Sequence, residues 1–333
     1  MINNLNKKLG DDILKDVFSR VSQLEVTVVG DICLDAYWEI DMMSKDSSLE
    51  TGLLVNSIRR QRYNLAGAAN VIRNLHALNV GKINAVGFVG RDIWGRELMS
   101  QLGKIANTEF VLRPRDFHTL VYCKPLRGNL ESHRFDFGSH NVLGVKMVSD
   151  LVKAVRKAIV TSDVIIINQQ IKLMGHPMLL GLLNELVNEF PEKIFIADSR
   201  HFPDNLSDCY MKLNRDEASQ LVGQQDSISM AKALFQKLGH RVYLTCGADG
   251  IVVADENGEY QTTVITVEPP IDVVGAGDTV ISTIATMLGL GCNPQDAAEM
   301  ANLAGSIVVK KLFITGVATQ SELLQNIRLL KNQ

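Results

Sequence analysis

Residues Asp272-Val273-Val274-Gly275-Ala276-Gly277-Asp278-Thr279 run straight into an apolar stretch containing Val280, Ile281, Ile284 and Leu288. Two glycines and an alanine at a helix start leave several backbone N–H groups unpaired and unobstructed by side chains. With the positive end of the helix dipole, these groups form an anion site. A carboxylate beside an anion site, here Asp278, is costly unless it takes part in chemistry. In phosphoryl transfer it would accept the proton of an attacking hydroxyl while the N–H groups of Gly275, Ala276 and Gly277 hold the transferred phosphate. The same residues also suit a Gly-rich turn with Asp278 as an ordinary helix-start acid, and the local sequence leaves both readings open.

Two other phosphate motifs are excluded. GxGxxG fails because its third glycine position is Val280 and the segment lies far from the first βα unit. Gly90-Arg91-Asp92-Ile93-Trp94-Gly95-Arg96-Glu97 has the glycine spacing of a Walker A loop, but places Arg-Glu where Lys-Ser/Thr is required.

The elements that must position this segment follow from periodicity. A helix is expected over the first 20 or so residues, with Leu9, Ile13, Leu14 and Val17 at helical spacing. An apolar strand at 26–29 delivers Gly30-Asp31 at its C-terminal end. From Gly67 a helix (Val71, Leu75, Leu78), a strand at 83–89 and a helix opening near Asp92 follow. Further strands are expected at 164–167, 194–197 and 242–245, and helices at 177–189 and 215–222. Asn257-Gly258 marks a two-residue hairpin between 251–254 and 260–263. The helix starting near Gly275 stops at 289–291; the next opens with Asn293 as N-cap and Pro294 at N1. Thr319 and Glu322 form the capping box of a last helix.

Repeated βα units imply an α/β sandwich with a mostly parallel sheet. The helix-poor segments 36–64 and 117–138 stand outside that rhythm, the second with expected strands at 118–123 and 132–137. They are expected to form a small β lid over the sheet's C-terminal edge, where ligands bind in open α/β sheets. No linker separates a second unit, so residues 1–333 are expected to form one domain with the lid inserted.

Composition supports a folded enzyme-sized chain: 333 residues, 46% apolar, 21% charged. A formal charge of −3 gives no basic field for nucleic acid or anionic membrane. No apolar run reaches the roughly 20 residues needed to span a bilayer, and residues 1–23 lack a secretory apolar core. Five isolated cysteines (Cys33, Cys123, Cys209, Cys246, Cys292) read as reduced thiols, as expected in the cytoplasm.

Asp272…Gly275-Ala276-Gly277-Asp278 resembles the C-terminal signature of the PfkB (ribokinase-type) carbohydrate kinases, usually written DTxGAGD. Ala66-Gly67-Ala68-Ala69-Asn70, followed by Gly81, Gly87 and Gly90-Arg91-Asp92, is similar to their N-terminal signature. Asn214-Arg215-Asp216-Glu217 resembles their NxxE element, and Thr245-Cys246-Gly247-Ala248-Asp249-Gly250 their TxGxxG nucleotide loop. The four occur in family order over about Val26 to Leu312. Within the family, the pattern is most similar to the heptose-7-phosphate kinase branch, through Val29-Gly30-Asp31, Leu34-Asp35, Tyr37-Trp38, Arg134-Phe135-Asp136, Ala301-Asn302-Leu303-Ala304 and Val308-Val309-Lys310-Lys311-Leu312.

The resemblance implies a ribokinase-like α/β/α fold and ATP-dependent phosphorylation of a sugar or sugar phosphate. It makes Asp278 the base and Gly275, Ala276 and Gly277 the anion hole. Asn214 and Glu217 would act near Mg²⁺ and the phosphates, Glu217 through metal-bound water. Thr245, Gly247 and Gly250 would meet the nucleotide, with Asn302 by its adenine or ribose. Asp31, Asp35, Gly67, Asn70 and Asn168 would face the acceptor, and Arg134 would pair with a phosphate. Open lid edges, which must be covered or paired, lead us to expect a homodimer through the lid.

Three departures bear on the substrate. The branch's Ser-Arg-Ile-Ser-Pro-Glu-Ala-Pro-like lid segment is here Ser44-Lys45-Asp46-Ser47-Ser48-Leu49-Glu50-Thr51-Gly52. Its Ser-Asp-Tyr element is Asn168-Gln169-Gln170, and the Thr of DTxGAGD is Val273, which puts activation by a monovalent cation in doubt. Asp198-Ser199-Arg200-His201 offers a further cationic contact. A nucleoside kinase on the same fold and a catalytically idle sugar or nucleotide sensor are the competing readings. The polar segment 44–52 argues against the first and the intact Asp278 against the second.

Overall fold

The computed structural model describes residues 17–128, 130–312 and 314–331. The expected N-terminal helix, with Leu9, Ile13 and Leu14, lies outside them except from Val17 onward. The first half of the chain forms β1 (Glu25–Gly30), β2 (Ile32–Ile40), β3 (Ile58–Gly67), α1 (Ala68–Ala77), β4 (Lys82–Phe88), α2 (Ile93–Leu102), β5 (Val111–Leu112), β6 (Leu120–Arg127), β7 (Leu130–Glu131) and β8 (Phe135–Phe137). Then come α3 (Val145–Ile159), β9 (Val164–Gln169), α4 (Pro177–Glu189), β10 (Ile194–Ser199), β11 (Tyr210–Asn214), α5 (Arg215–Val222) and α6 (Ser227–Leu238). The chain continues through β12 (Val242–Thr245), β13 (Ile251–Asp255), β14 (Gly258–Gln261), α7 (Ala276–Gly289), α8 (Pro294–Val308) and α9 (Gln320–Lys331).

The main sheet has the order β14-β13-β12-β11-β10-β9-β1-β4-β5. It is parallel from β5 through β12 and antiparallel only at β12-β13-β14. Each central strand is an apolar run buried on both faces, and its alternation splits the core. Val164 and Ile166 join the layer containing α1, α7 and α8, whereas Ile165 and Ile167 join the layer containing α3, α4 and α6. A second sheet, ordered β3-β2-β6-β7 with β8 also on β6, carries the expected lid segments. It begins earlier than the sequence pattern indicates, because β2 pairs with β3 from Ile32–Gly67 onward, leaving only Asp31 between β1 and β2. Among the described residues no helix is long and apolar enough to cross a membrane.

Local signals place the helix starts. Asp92 accepts from the Gly95 N–H at 2.7 Å and Asn293 from that of Asp296 at 2.8 Å. Thr319 and Glu322 make the reciprocal capping box. The hairpin differs by one residue from expectation: Gly258 pairs with Asp255 inside the ladder, so the turn residues are Glu256 and Asn257. The Asp255 carboxylate fixes it by accepting from the Asn257 N–H at 2.9 Å.

Candidate active site

The register of the main sheet brings four residues into one row at its C-terminal edge: Gly30, Asn168, Asp198 and Lys212 are consecutive partners across β1, β9, β10 and β11. Side chains alternate along a strand. Ile167, Ala197, Met211 and Leu213 face the α3–α4–α6 layer, so Asn168, Asp198 and Lys212 point toward the layer where α7 begins. This row floors the site.

Above it, Gly275 stands at φ +81, the left-handed conformation that starts α7. A Cβ there would lie 2.7 Å from Thr315 Cγ2 and 3.0 Å from Asn70 Nδ2, so only glycine fits. Asp278 occupies the first turn of α7, and its Oδ2 accepts from Asn70 Nδ2 at 2.6 Å. Two more contacts tie α7 to α1: Thr279 Oγ1 donates to Asn74 Oδ1 at 2.7 Å, and Ser282 Oγ, 2.7 Å from the Asp278 carbonyl of its own helix, lies 3.1 Å from the Val71 carbonyl. Desolvation, reinforced by the nearby Asp198 charge, pushes the Asp278 carboxyl up to about 6 against the Asn70 bond, Lys212 and Arg200. A carboxyl poised there is ionised at neutral pH yet basic enough to take a proton.

Lys212 is not among the residues the sequence motifs point to. It forms a 2.7 Å ion pair with Asp198 in which both side chains are 5% exposed. Its Nζ lies 3.2 Å from where a Cβ on Gly277 would stand. A lone lysine inside the apolar strand Tyr210–Asn214, two residues before the NxxE asparagine, is the signal that would have found it.

Asn214 and Glu217 prove to be a capping box for α5. The Asn214 side chain accepts from Glu217 N–H at 2.8 Å, and Glu217 Oε2 from Asn214 N–H at 2.9 Å. Burial raises the Glu217 carboxyl despite Lys212. Thr245 Oγ1 donates to the Leu213 carbonyl at 3.2 Å, tying the neighbouring strand ends. In the loop that follows, Gly247 and Gly250 take φ +61 and +85. Nothing stands within 4 Å of a Cβ on Gly247, whereas one on Gly250 would strike Thr262 Oγ1 at 2.4 Å. Asn302 donates to the Thr263 carbonyl at 2.7 Å. Nearby Glu299 accepts from the Tyr260 hydroxyl and the Thr263 N–H. These residues anchor the stretch leading from β14 back to Gly275.

On the other side of Asp278, Asp31 Oδ2 accepts from the backbone N–H groups of Gln170 and Ile171 at 2.8 and 3.0 Å. Burial nevertheless pushes this carboxyl up to about 7. Gly67 takes φ +56, and a Cβ there would lie 2.5 Å from the Asp31 carbonyl, so only glycine fits. Asn168 Nδ2 and Asn70 Oδ1 are buried without a hydrogen-bond partner among the described residues. Such atoms are costly when left empty and mark where a polar ligand's groups would pair.

Asp35 and Arg134 are engaged inside the protein. Asp35 pairs with Lys124 at 3.0 Å, both nearly buried. Arg134 grips Asp136 through two bonds of 2.6 and 2.8 Å and lies 4.7 Å above the Tyr122 ring. Arg73, on α1, donates to the Thr315 and Gly316 carbonyls and keeps its Nε buried without a partner. Arg200 follows β10 and is exposed.

Among the described residues no three His, Cys, Asp or Glu side chains converge on a metal position. A magnesium ion held mainly by a nucleotide's phosphates and water would need no such cluster.

Residues 196–315 match the model of the pfkB family carbohydrate kinases. The bifunctional protein HldE of Caulobacter vibrioides is 28% identical over 94% of this chain and 65% of its own length. The D-beta-D-heptose 7-phosphate kinase of Bordetella bronchiseptica is 27% identical over 91% of this chain and 96% of its own. The chain thus spans just under two thirds of the first curated relatives it matches. Among solved structures, Arabidopsis thaliana ribokinase complexed with ribose and ATP superposes with a TM-score of 0.67 at 15% identity, covering 92% of this chain and 99% of that one. A phosphofructokinase-2 mutant from Escherichia coli superposes with a TM-score of 0.71 at 16% identity, with coverage of 92% and 99%. The fold is ribokinase-like α/β.

Proposed function

We propose that this chain, whose residues 196–315 match the model of the pfkB family carbohydrate kinases, is an ATP-dependent kinase. It transfers the γ-phosphoryl of MgATP to a hydroxyl of a sugar or sugar phosphate. The observation that carries this reading is the Asp278 carboxylate, held at 2.6 Å by Asn70 in the first turn of a helix that opens with Gly275-Ala276-Gly277.

In this reading Asp278 takes the proton from the attacking hydroxyl while the N–H groups at the start of α7 receive the transferred phosphate. Asp31, Asn168 and Asn70 hydrogen-bond the acceptor's hydroxyls, and Gly67 lets the backbone approach. The nucleotide lies along the 245–250 loop toward Asn302. A magnesium ion near Glu217 supplies charge neutralisation of the phosphates when bound. The smaller sheet closes over the acceptor and keeps water out. The exposed Arg200, whose charge acts on Asp278, favours a phosphorylated sugar over a nucleoside, which would call for an apolar stacking surface. The enzyme acts on small molecules in the cytoplasm, without a nucleic-acid or membrane partner, as a homodimer paired through its smaller sheets.

The test is ADP release with MgATP against hexoses, pentoses, hexose and heptose phosphates and nucleosides, for wild type and Asp278→Asn. Acceptor-dependent release that the substitution cuts by about 10²–10⁴ supports the reading, because that is the span of general-base catalysis. Nucleotide binding with no acceptor-dependent release from any class points instead to a sensor.

A further inference from the structure

Lys212 has no role in the reading above, yet it sits against the start of α7. Its ammonium makes one hydrogen bond, to Asp198 Oδ2 at 2.7 Å. An ammonium carries three N–H donors, so two have no acceptor among the described residues. A buried ion pair costs desolvation that an apolar pair would avoid. Strand β11 needs no charge for packing, since Met211 and Leu213 fill the opposite layer. What the ammonium does reach is Gly277: a Cβ there would stand 3.2 Å from Nζ, and glycine leaves that approach open. Of the other cations near Asp278, Arg73 is committed to the Thr315 and Gly316 carbonyls and Arg200 is exposed.

We propose that Lys212 is a catalytic residue whose two spare N–H donors bind the γ-phosphate of ATP, with Asp198 as the partner that holds the ammonium in place. The proposal rests on the kinase reading. In the step itself, the acceptor hydroxyl gives its proton to Asp278, and its oxygen forms a bond to the γ-phosphorus. The bond from that phosphorus to the β,γ-bridging oxygen breaks, its electron pair leaving on ADP. Lys212 keeps all its protons throughout and contributes only charge, which counts most where negative charge spreads over the phosphoryl oxygens in a water-poor site.

The experiment measures the affinities of MgATP and MgADP by calorimetry for wild type, Lys212→Met, Lys212→Arg and the double variant Lys212→Met/Asp198→Asn. The double variant replaces the ion pair by neutral groups of similar size, so it reports even where the single substitution leaves Asp198 unpaired and prevents folding. Loss of a charged hydrogen-bond donor to the γ-phosphate weakens ATP by about 10- to 100-fold while ADP, which lacks that group, changes little. Lys212→Arg, which keeps the charge, restores most of the ATP-over-ADP difference. With an active acceptor, the Lys212→Met turnover falls by about 10²–10³, the usual effect of removing one donor to a developing anion. Equal losses for ATP and ADP, or no loss for either, overturn the proposal while leaving the kinase reading intact. Wild-type protein that binds neither nucleotide overturns both.

Discussion

Asp31→Asn should make this protein more stable and, in the same stroke, a worse enzyme. The carboxyl is 2% exposed, and burial lifts it from 3.8 to about 7 even though two backbone N–H groups bond its Oδ2. Because its folded pKa lies above the unfolded one, the native state holds more protons across that window, and stability falls as pH rises through it. A tenfold weakening of an acid corresponds to about 1.4 kcal/mol. The penalty is therefore absent below about pH 4, between about 1 and 2 kcal/mol at pH 5, and about 4 kcal/mol once pH exceeds 7. Asparagine retains an oxygen for the Gln170 and Ile171 N–H groups but carries no charge to desolvate. Urea or thermal unfolding of both proteins at pH 5 and pH 8 checks this. The variant's advantage should grow by about 3 kcal/mol between the two, on the order of 5 °C or more in Tm at pH 8. A difference independent of pH, or a variant less stable at pH 8, refutes the reasoning. KM for the acceptor should rise about 10- to 100-fold, the value of a hydrogen bond to a charged group.

Because Asp278 must be ionised to accept a proton and its carboxyl is pushed up to about 6, kcat/KM should fall about tenfold per unit below pH 6; a profile flat down to pH 5 removes it as the base. Asn74→Ala leaves the Thr279 hydroxyl only the Gly275 carbonyl at 3.2 Å in place of its 2.7 Å partner, which should cost about 0.5–1.5 kcal/mol in denaturant unfolding and lower kcat by loosening the start of α7. Met43, Leu49 and Leu54, on and beside the smaller sheet, are 81–99% exposed. Light scattering at micromolar concentration should give twice the chain mass, and a Leu49→Asp/Leu54→Asp variant should shift it toward one.

Signals confined to a few consecutive residues are legible in the sequence. The capping boxes at Asn214–Glu217 and Thr319–Glu322, the N-caps Asp92 and Asn293, and the glycine-led start of α7 each declare themselves within one helical turn. Helices α3 and α6 are missing from the sequence reading although their signals are present. Val148, Leu151, Val152, Val155 and Ile159 are buried at helical spacing in α3, while Asp226 caps α6 and Gly239 ends it in the left-handed conformation. Strand β11 is missing from it because Lys212 interrupts the apolar run. The pairings that no single segment encodes are not legible. Lys124 meets Asp35 because β6 lies parallel to β2, and Arg73 reaches Thr315 across 242 residues of chain. Charge at those positions is visible in the sequence; the choice of partner belongs to the fold.

Helix α7 explains why the site sits where it does. From Thr279 to Leu288 it is buried, yet four of those ten positions are Ser or Thr. Two of the four hydroxyls, on Thr283 and Thr286, bond back to the carbonyl one turn earlier and satisfy only themselves. The other two also lie within bonding distance of the carbonyl one turn earlier, Thr279 at 3.2 Å from Gly275 and Ser282 at 2.7 Å from Asp278, but face α1 as well, at Asn74 and the Val71 carbonyl. A purely apolar seam would bury as much surface but would let two helices slide or rotate with little change in energy. The Thr279–Asn74 and Ser282–Val71 contacts oppose both, and a slip leaves the buried Asn74 amide oxygen without its donor at about 1–3 kcal/mol. They lie within one turn of Asp278 and Asn70, whose 2.6 Å contact aims the proposed base. Catalytic geometry has to be held within about 0.5 Å. In this chain the polar residues inside an otherwise apolar helix are what make that tolerance attainable.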